Sequence, residues 1–190
     1  AIDLLVQWHH APNEVASPKA LPLAPYDEAL LMREVQLFSD WFLPQALGKE
    51  KAGALAGEYR ALWKSILANA PLAADQLVHR DYHADNLMWL PARKGVRRVG
   101  LLDFQDAVYG DAAYDLASLL EDARRDVPPA LVSKMLERYI RTSGAGRERL
   151  LSAYAVLAAQ RNSKIVGIFS RLAARDGKQH YLKLLPRVWG

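Results

Sequence analysis

The residues of this chain best suited to chemistry lie in one short segment, residues 79–86 (HRDYHADN), and in the turn at residues 103–105 (DFQ). Asp81, Asn86 and Asp103 have the types and spacing used in phosphoryl transfer. In that chemistry an Asp takes or orients the proton of the acceptor hydroxyl, and an Asn five positions later and a downstream Asp hold magnesium. Because Mg²⁺ keeps several waters, two protein ligands and the nucleotide phosphates suffice. We therefore expect Asp81 to be catalytic, Asn86 and Asp103 to bind Mg²⁺, and ATP to be the phosphoryl donor.

Short strands are expected to position these residues. Residues 77–78 read as a strand that enters the segment, and residues 87–90 as a strand that leaves it. A turn at residues 91–95 then leads into an apolar stretch, residues 96–102, which returns to Asp103. The pattern predicts a small catalytic β-hairpin.

Helices are expected elsewhere, because apolar residues recur at helical spacing. They cover about residues 2–9, 27–40, 50–69, 111–125, 128–142, 146–174 and 179–185. Asp27 is a predicted N-cap, and a loop with four prolines occupies residues 10–26. Six residues of the third helix are predicted to face inward: Leu55, Tyr59, Leu62, Trp63, Ile66 and Leu67. The fold class is α+β, mainly α, and residues 1–190 form one domain.

Composition excludes several classes of protein. The chain has 190 residues, 51% of them hydrophobic, which is enough for a buried core. No apolar run is long enough to span a membrane. No cysteine is present, which is compatible with a cytoplasmic location and excludes thiolate metal sites. The net charge of +4 is mild and spread along the chain, so no nucleic-acid partner is expected.

The motif at residues 79–86 and the apolar-apolar-Asp-Phe turn at residues 101–104 resemble the aminoglycoside phosphotransferase and choline kinase-like family of small-molecule kinases. Residues 31–38, 101–110 and 160–169 are more narrowly similar to the kinases that phosphorylate N-acetylmuramate and N-acetylglucosamine in cell-wall recycling. The resemblance implies the C-terminal lobe of a protein-kinase-like fold. It also implies a small polar substrate, with an amino sugar attacked at its anomeric hydroxyl as the preferred one. An aminoglycoside or choline-type substrate is the first alternative.

Such kinases also have an N-terminal lobe, which covers the ATP phosphates and carries a strand lysine. No glycine-rich loop and no strand-loop-strand region precede residue 75, and the chain begins at Ala1 inside a predicted helix. We therefore expect the N-terminal lobe of the same protein to be absent from this chain and a partner in catalysis. The chain alone is expected not to turn over ATP. Residues 104–110 are too few for a long activation segment, which disfavours a regulated protein kinase.

The resemblance also suggests roles around the loop. His79 and Arg80 are expected to support it, and Asp115, in the family pattern Gly-Asp-x-x-x-Asp-Leu, to brace it by accepting backbone hydrogen bonds. Two further residues are candidate substrate contacts on their position alone: His83 is either a loop residue or a contact at the substrate edge, and Gln105 either points to the substrate or fills the turn.

A basic stripe on one predicted helix has two interpretations. Arg161, Lys164, Arg171 and Arg175 fall within one arc of that helix. Arg161 and Lys164 could contact an anionic substrate, or the stripe could be a solvated face.

Two other functions use the same residues. His79, Asp81 and His83 alternate and could hold a transition metal in a hydrolase, although Asn86 and Asp103 would then have no role. The domain could also bind a sugar or a partner without catalysis.

Overall fold

The structure, a computed structural model, describes residues 1–10 and 23–189. Helices dominate it and two small antiparallel sheets complete it, so the predicted mainly α, α+β fold is confirmed. The α-helices are α1 (Ile2–His9), α2 (Glu28–Leu37), α3 (Leu43–Leu47), α4 (Lys49–Asn69), α5 (Ala113–Leu120), α6 (Pro129–Ser143), α7 (Arg147–Asp176) and α8 (Leu185–Trp189). The strands are β1 (Gln76–Val78), β2 (Leu87–Trp89), β3 (Val99–Leu101) and β4 (Val108–Gly110).

The chain forms two compact units. Of the described residues, the first comprises 1–10, 23–26, 71–120 and 127–154, and the second 27–70, 121–126 and 155–189. The first unit buries Leu5, Val78, Tyr82, Leu116, Tyr139 and Leu150. The second has a core of Ala123, Ile165, Val166, Phe169 and Val188. Both sheets belong to the first unit.

The predicted hairpin is present as β2 and β3, which pair antiparallel with Leu87 opposite Leu101. Its returning strand is shorter than expected, because residues Gly95–Arg98 form a 3₁₀ turn before β3. The entering strand β1 does not extend this hairpin. It pairs instead with β4, a strand that the sequence reading treated as loop.

The second helix of the prediction continues beyond its expected end at residue 40. Asp27 caps α2 as predicted, with its carboxylate accepting from Leu30 N at 2.8 Å. After Leu37 the chain passes through a π-helical turn, Phe38–Phe42, directly into α3. Pro44 lies in the first turn of α3, where proline is tolerated, and Gly48, with φ +83°, ends that helix.

The prediction of which face of α4 is buried is only partly correct. Trp63 and Leu67 are buried, but Leu55 is 41% and Leu62 is 57% exposed. The prediction placed six large apolar residues of this helix inward. In the structure α4 buries only a narrow stripe, Ala52, Trp63 and Leu67, so much of its apolar surface remains in solvent.

The later helices also differ at their ends. The helix predicted over residues 111–125 ends at Leu120, and the last predicted helix is a 3₁₀ segment, Gln179–Leu184, followed by α8. Most of the proline-containing loop predicted at residues 10–26 lies outside the described residues. None of the helices in the described part of the chain is long and apolar enough to cross a membrane.

Candidate active site

The hairpin β2–β3 places Asn86 and Asp103 at the same end. Asn86 immediately precedes β2, and Asp103 follows β3 after Leu102. The backbone N–H of Leu102 donates to the carbonyl oxygen of Asn86 at 3.0 Å, which extends the ladder to the residue next to Asp103. Two residues 17 positions apart in the chain are thereby brought to one end of the hairpin.

Asp81 is tied to Asn86 by a side-chain hydrogen bond. The amide Nδ2 of Asn86 donates to the carbonyl oxygen of Asp81 at 2.9 Å, and the backbone N–H of His83 donates to the same oxygen at 3.0 Å. The Asn86 backbone N–H donates to the carbonyl of His83 at 2.9 Å. The loop is therefore closed around the Asp81 carbonyl, while the Asp81 side chain is exposed.

The donor set fits a magnesium ion. Because Nδ2 of Asn86 is engaged with Asp81, its Oδ1 is left for another partner. The Asp103 carboxylate is exposed, and no described residue forms an ion pair with it. A carboxylate and an amide oxygen at one hairpin end are oxygen ligands of the kind that Mg²⁺ prefers.

Backbone strain is concentrated at this site. Arg80, with φ 71°, and Asp103, with φ 55°, are the two non-glycine residues of the described chain that have positive φ. Such conformations cost on the order of 1–3 kcal/mol each and persist where surrounding contacts impose them. One strained residue immediately precedes Asp81, and the other is the proposed metal ligand itself.

Asp115, at the start of α5, supplies hydrogen bonds that hold the backbone of Arg80 in its strained conformation. Its carboxylate accepts from the backbone N–H of His79 at 2.7 Å and of Arg80 at 2.9 Å. Asp115 is fully buried, so these charge-assisted hydrogen bonds form away from competing water. The side chain of Arg80 adds a hydrogen bond to the carbonyl of Asp106 at 3.3 Å and lies over the ring of Tyr26.

His79 and Tyr82 pack beneath the loop. Both side chains are fully buried, and their rings meet edge to face with centroids 5.8 Å apart. Neither ring nitrogen of His79 has a hydrogen-bond partner among the described residues. Burial, together with the charge of Asp115, raises the pKa of Tyr82 above its ordinary value, and its hydroxyl donates to the carbonyl of Ala1 at 2.9 Å.

His83 and Gln105 occupy different environments. His83 is 8% exposed, whereas Gln105 lies in the exposed turn after Asp103. The hydrolase interpretation required a metal cluster of His79, Asp81 and His83. No group of three or more His, Asp or Glu side chains positioned to hold a metal ion exists within residues 1–10 and 23–189, so that interpretation is wrong for this structure.

The basic stripe lies in the second unit and is not a uniformly solvated face. Arg161 is only 4% exposed and donates to the carbonyl of Glu121 at 3.4 Å. Lys164 donates to Glu34 Oε1 at 2.8 Å, and the exposed Arg175 pairs with Asp176 at 2.7 Å. The solvated-face interpretation is therefore wrong for Arg161, and the partners of Arg161 and Lys164 are protein groups.

The two stretches that resemble amino-sugar kinases outside the loop pack against each other. Gln160 of α7 donates to the carbonyl of Leu31 at 3.2 Å and to Glu34 at 3.1 Å on α2. Gly167 of α7 lies directly against the backbone of Leu37. Neither this contact nor the position of His9, whose ring lies 3.2 Å from Asp115, was predicted from the sequence.

Comparisons with known proteins identify the family of this chain. The model of the phosphotransferase enzyme family (APH) matches residues 1–151. An N-acetylmuramate/N-acetylglucosamine kinase of Caulobacter vibrioides is 41% identical over 197 residues, covering 100% of this chain and 53% of the relative. Proteins of the same name from Pseudomonas aeruginosa (42% identical) and Pseudomonas putida (36%) are each matched over 100% of this chain and 55% of their own length.

The chain thus spans about half the length of the curated relatives it matches. The family model covers both the loop at residues 79–86 and the turn at Asp103, the two motifs on which the resemblance rested. The chain belongs to the phosphotransferase enzyme family.

Proposed function

We propose that this chain is the C-terminal lobe of a kinase that transfers a phosphoryl group from ATP to the anomeric hydroxyl of an amino sugar. The observation that carries the proposal is the joint placement of three residues. Asn86 and Asp103 flank the same end of the hairpin, and the Asn86 side chain donates to the backbone carbonyl of Asp81. This is the set of groups that positioning and charge stabilisation require in phosphoryl transfer.

In this proposal Asp81 orients the acceptor hydroxyl and accepts its proton as the oxygen attacks the terminal phosphorus of ATP, and the bond from that phosphorus to the bridging oxygen breaks to release ADP. Its exposed carboxylate is available to a substrate, and its backbone is fixed by Asn86 and His83. Asn86 and Asp103 hold Mg²⁺. The ion, when bound, neutralises charge on the phosphate oxygens. Asp115 keeps the loop in its strained conformation.

The elements that cover the ATP phosphates, including the strand lysine, have no counterpart among the described residues. We assign them to an N-terminal lobe in the half of the relatives that this chain does not match. The names of these relatives support N-acetylmuramate and N-acetylglucosamine as substrates. His83 and Gln105 remain candidates for contacts with the sugar.

The test is an ATP-consumption assay on the complete protein with four acceptors: N-acetylmuramate, N-acetylglucosamine, an aminoglycoside and choline. We expect turnover with the amino sugars and a phosphorylated anomeric position in the product. Asp81→Asn should lower kcat by on the order of 10²–10⁴ while ATP affinity changes little, because Asp81 contacts the acceptor.

Asp75→Asn provides the matched control, since Asp75 is an exposed carboxylate just before β1 and outside the loop. It should behave as the wild type. Failure of all four acceptors, or an Asp81→Asn protein that retains more than about half of the wild-type kcat, would refute the proposal.

A further inference from the structure

His9, the last residue of α1, is buried in the first unit and connects two other elements of that unit. It is 5% exposed, with Nε2 3.2 Å from Asp115 Oδ2 on α5 and Nδ1 2.8 Å from the hydroxyl of Tyr139 on α6. The rings of His9 and Tyr139 also meet edge to face, with centroids 5.7 Å apart. Both hydrogen-bonding positions of the imidazole are therefore used by protein groups.

One assignment of hydrogens satisfies all three side chains. The Tyr139 hydroxyl donates to Nδ1, and the Nε2–H donates to the Asp115 carboxylate, which has no hydrogen of its own to give. Burial raises the pKa of Tyr139 above its ordinary value, which keeps the donating hydrogen in place. The ring of His9 is thereby fixed in one orientation.

Asp115 passes this constraint to the loop. Its Oδ2 receives both His9 Nε2 and the His79 backbone N–H, while Oδ1 receives the N–H of Arg80. Arg80 is the strained residue next to Asp81. Without the His9 donor, the buried Asp115 carboxylate would accept only from the backbone N–H groups of His79 and Arg80 and could rotate. The strained backbone of Arg80 would then be held less firmly.

We propose that His9 is a positioning residue: through Asp115 it fixes the conformation of Arg80 and thereby the placement of the Asp81 carboxylate. Tyr139 acts one step further away by holding the His9 ring. The inference rests on the proposed function, because it assigns His9 a role in the step that Asp81 performs. It concerns the chemical step and not the binding of ATP or sugar.

The experiment compares two substitutions at His9 with the same two at His10 in the complete protein. His9→Gln keeps a side-chain N–H that can reach Asp115, and His9→Phe keeps an aromatic ring without any donor. His10 is the neighbouring residue, exposed, and bonded only locally to the carbonyl of Val6 at 2.8 Å. The readouts are kcat, both KM values, the thermal midpoint, and hydrogen–deuterium exchange of the peptide containing residues 79–81.

We expect His9→Phe to lower kcat by about 10–100-fold with little change in either KM, because a small displacement of a catalytic group has an effect of that order. Amide exchange at residues 79–81 should increase. His9→Gln should recover most of kcat and of the protection, and both His10 variants should match the wild type.

A His9→Phe protein with a lowered thermal midpoint but wild-type kcat and wild-type exchange at residues 79–81 would show that His9 only stabilises the fold, and would overturn the inference. If His9→Phe does not fold, Tyr139→Phe takes its place, with faster exchange at residues 79–81 and a lower kcat expected. A Tyr139→Phe protein with wild-type kcat and wild-type exchange at residues 79–81 would also overturn the inference. A fully active Asp81→Asn protein would instead refute the proposed function, so the two failures are distinguishable.

Discussion

Gly167 in α7 allows a quantitative prediction, because two opposing effects of a single methyl group can be compared. A Cβ at this position would lie well under 3.0 Å from the backbone of Leu37, and 2.5 Å from the backbone nitrogen of Phe38. Alanine in place of a helical glycine gains roughly 0.5–1 kcal/mol of helix propensity. Overpacking a well-packed contact costs about 1–3 kcal/mol, and a helix backbone yields less readily than a flexible side chain.

The steric effect should therefore win. We expect Gly167→Ala to lower the free energy of unfolding by about 1–1.5 kcal/mol, because a mid-range overpacking cost of about 2 kcal/mol exceeds the propensity gain of roughly 0.5–1 kcal/mol. For a protein of this size that corresponds to a fall of roughly 2–6 °C in the thermal midpoint. Thermal unfolding followed by far-ultraviolet circular dichroism measures the shift.

Gly57→Ala is the matched control. Gly57 lies in α4, and a Cβ there would have no atom within 4 Å. Only the propensity term applies, so this variant should be more stable than the wild type by about 0.5–1 kcal/mol. If Gly167→Ala were stabilised as much as Gly57→Ala, the close approach of α7 to Leu37 would be refuted.

Two further predictions concern the site. Asp103→Ala should raise the Mg²⁺ concentration needed for half-maximal activity and abolish most turnover, because the ion loses one of two protein ligands; a magnesium titration with unchanged midpoint would contradict the assignment. Burial, and secondarily the charge of Asp115, raises the pKa of Tyr82. The folded state therefore keeps this proton above the pKa near 10 of an unfolded tyrosine, and stability should be lost as pH rises beyond that value. In urea denaturation between about pH 8 and pH 11, the free energy of unfolding should fall less steeply with pH for Tyr82→Phe than for the wild type. Equal slopes for the two proteins would contradict this role of Tyr82.

The part of the fold that the sequence predicted well is local. The segment around Asn86 and Asp103 is a hairpin whose two strands are joined directly by residues 90–98, so residues close in the chain determine its pairing. The N-cap at Asp27 is likewise decided within one helical turn. These features need no knowledge of the rest of the chain.

The features that were missed depend on distant partners. Strand β4 has three residues, and Gln76 and its neighbours, which pair with it, lie about thirty residues earlier in the chain. Leu62 has the apolar character of a buried residue, and only the tertiary packing of α4 leaves it 57% exposed. His9 could not be assigned from spacing, since Asp115 and Tyr139 are more than a hundred residues away.

The proposed catalytic and metal-binding residues of the candidate site all lie in the segment of chain between the paired strands β1 and β4. Residues 79–107, which include Asp81, Asn86 and Asp103, lie between Val78 and its partner Val108. Closing a loop of about 30 residues opposes folding by roughly 3 kcal/mol from its length alone. The β2–β3 hairpin can form locally, but the segment that carries it should consequently join the rest of the fold late, after helix formation. Local opening of the β1–β4 sheet should then release Asp81, Asn86 and Asp103 from the fold together.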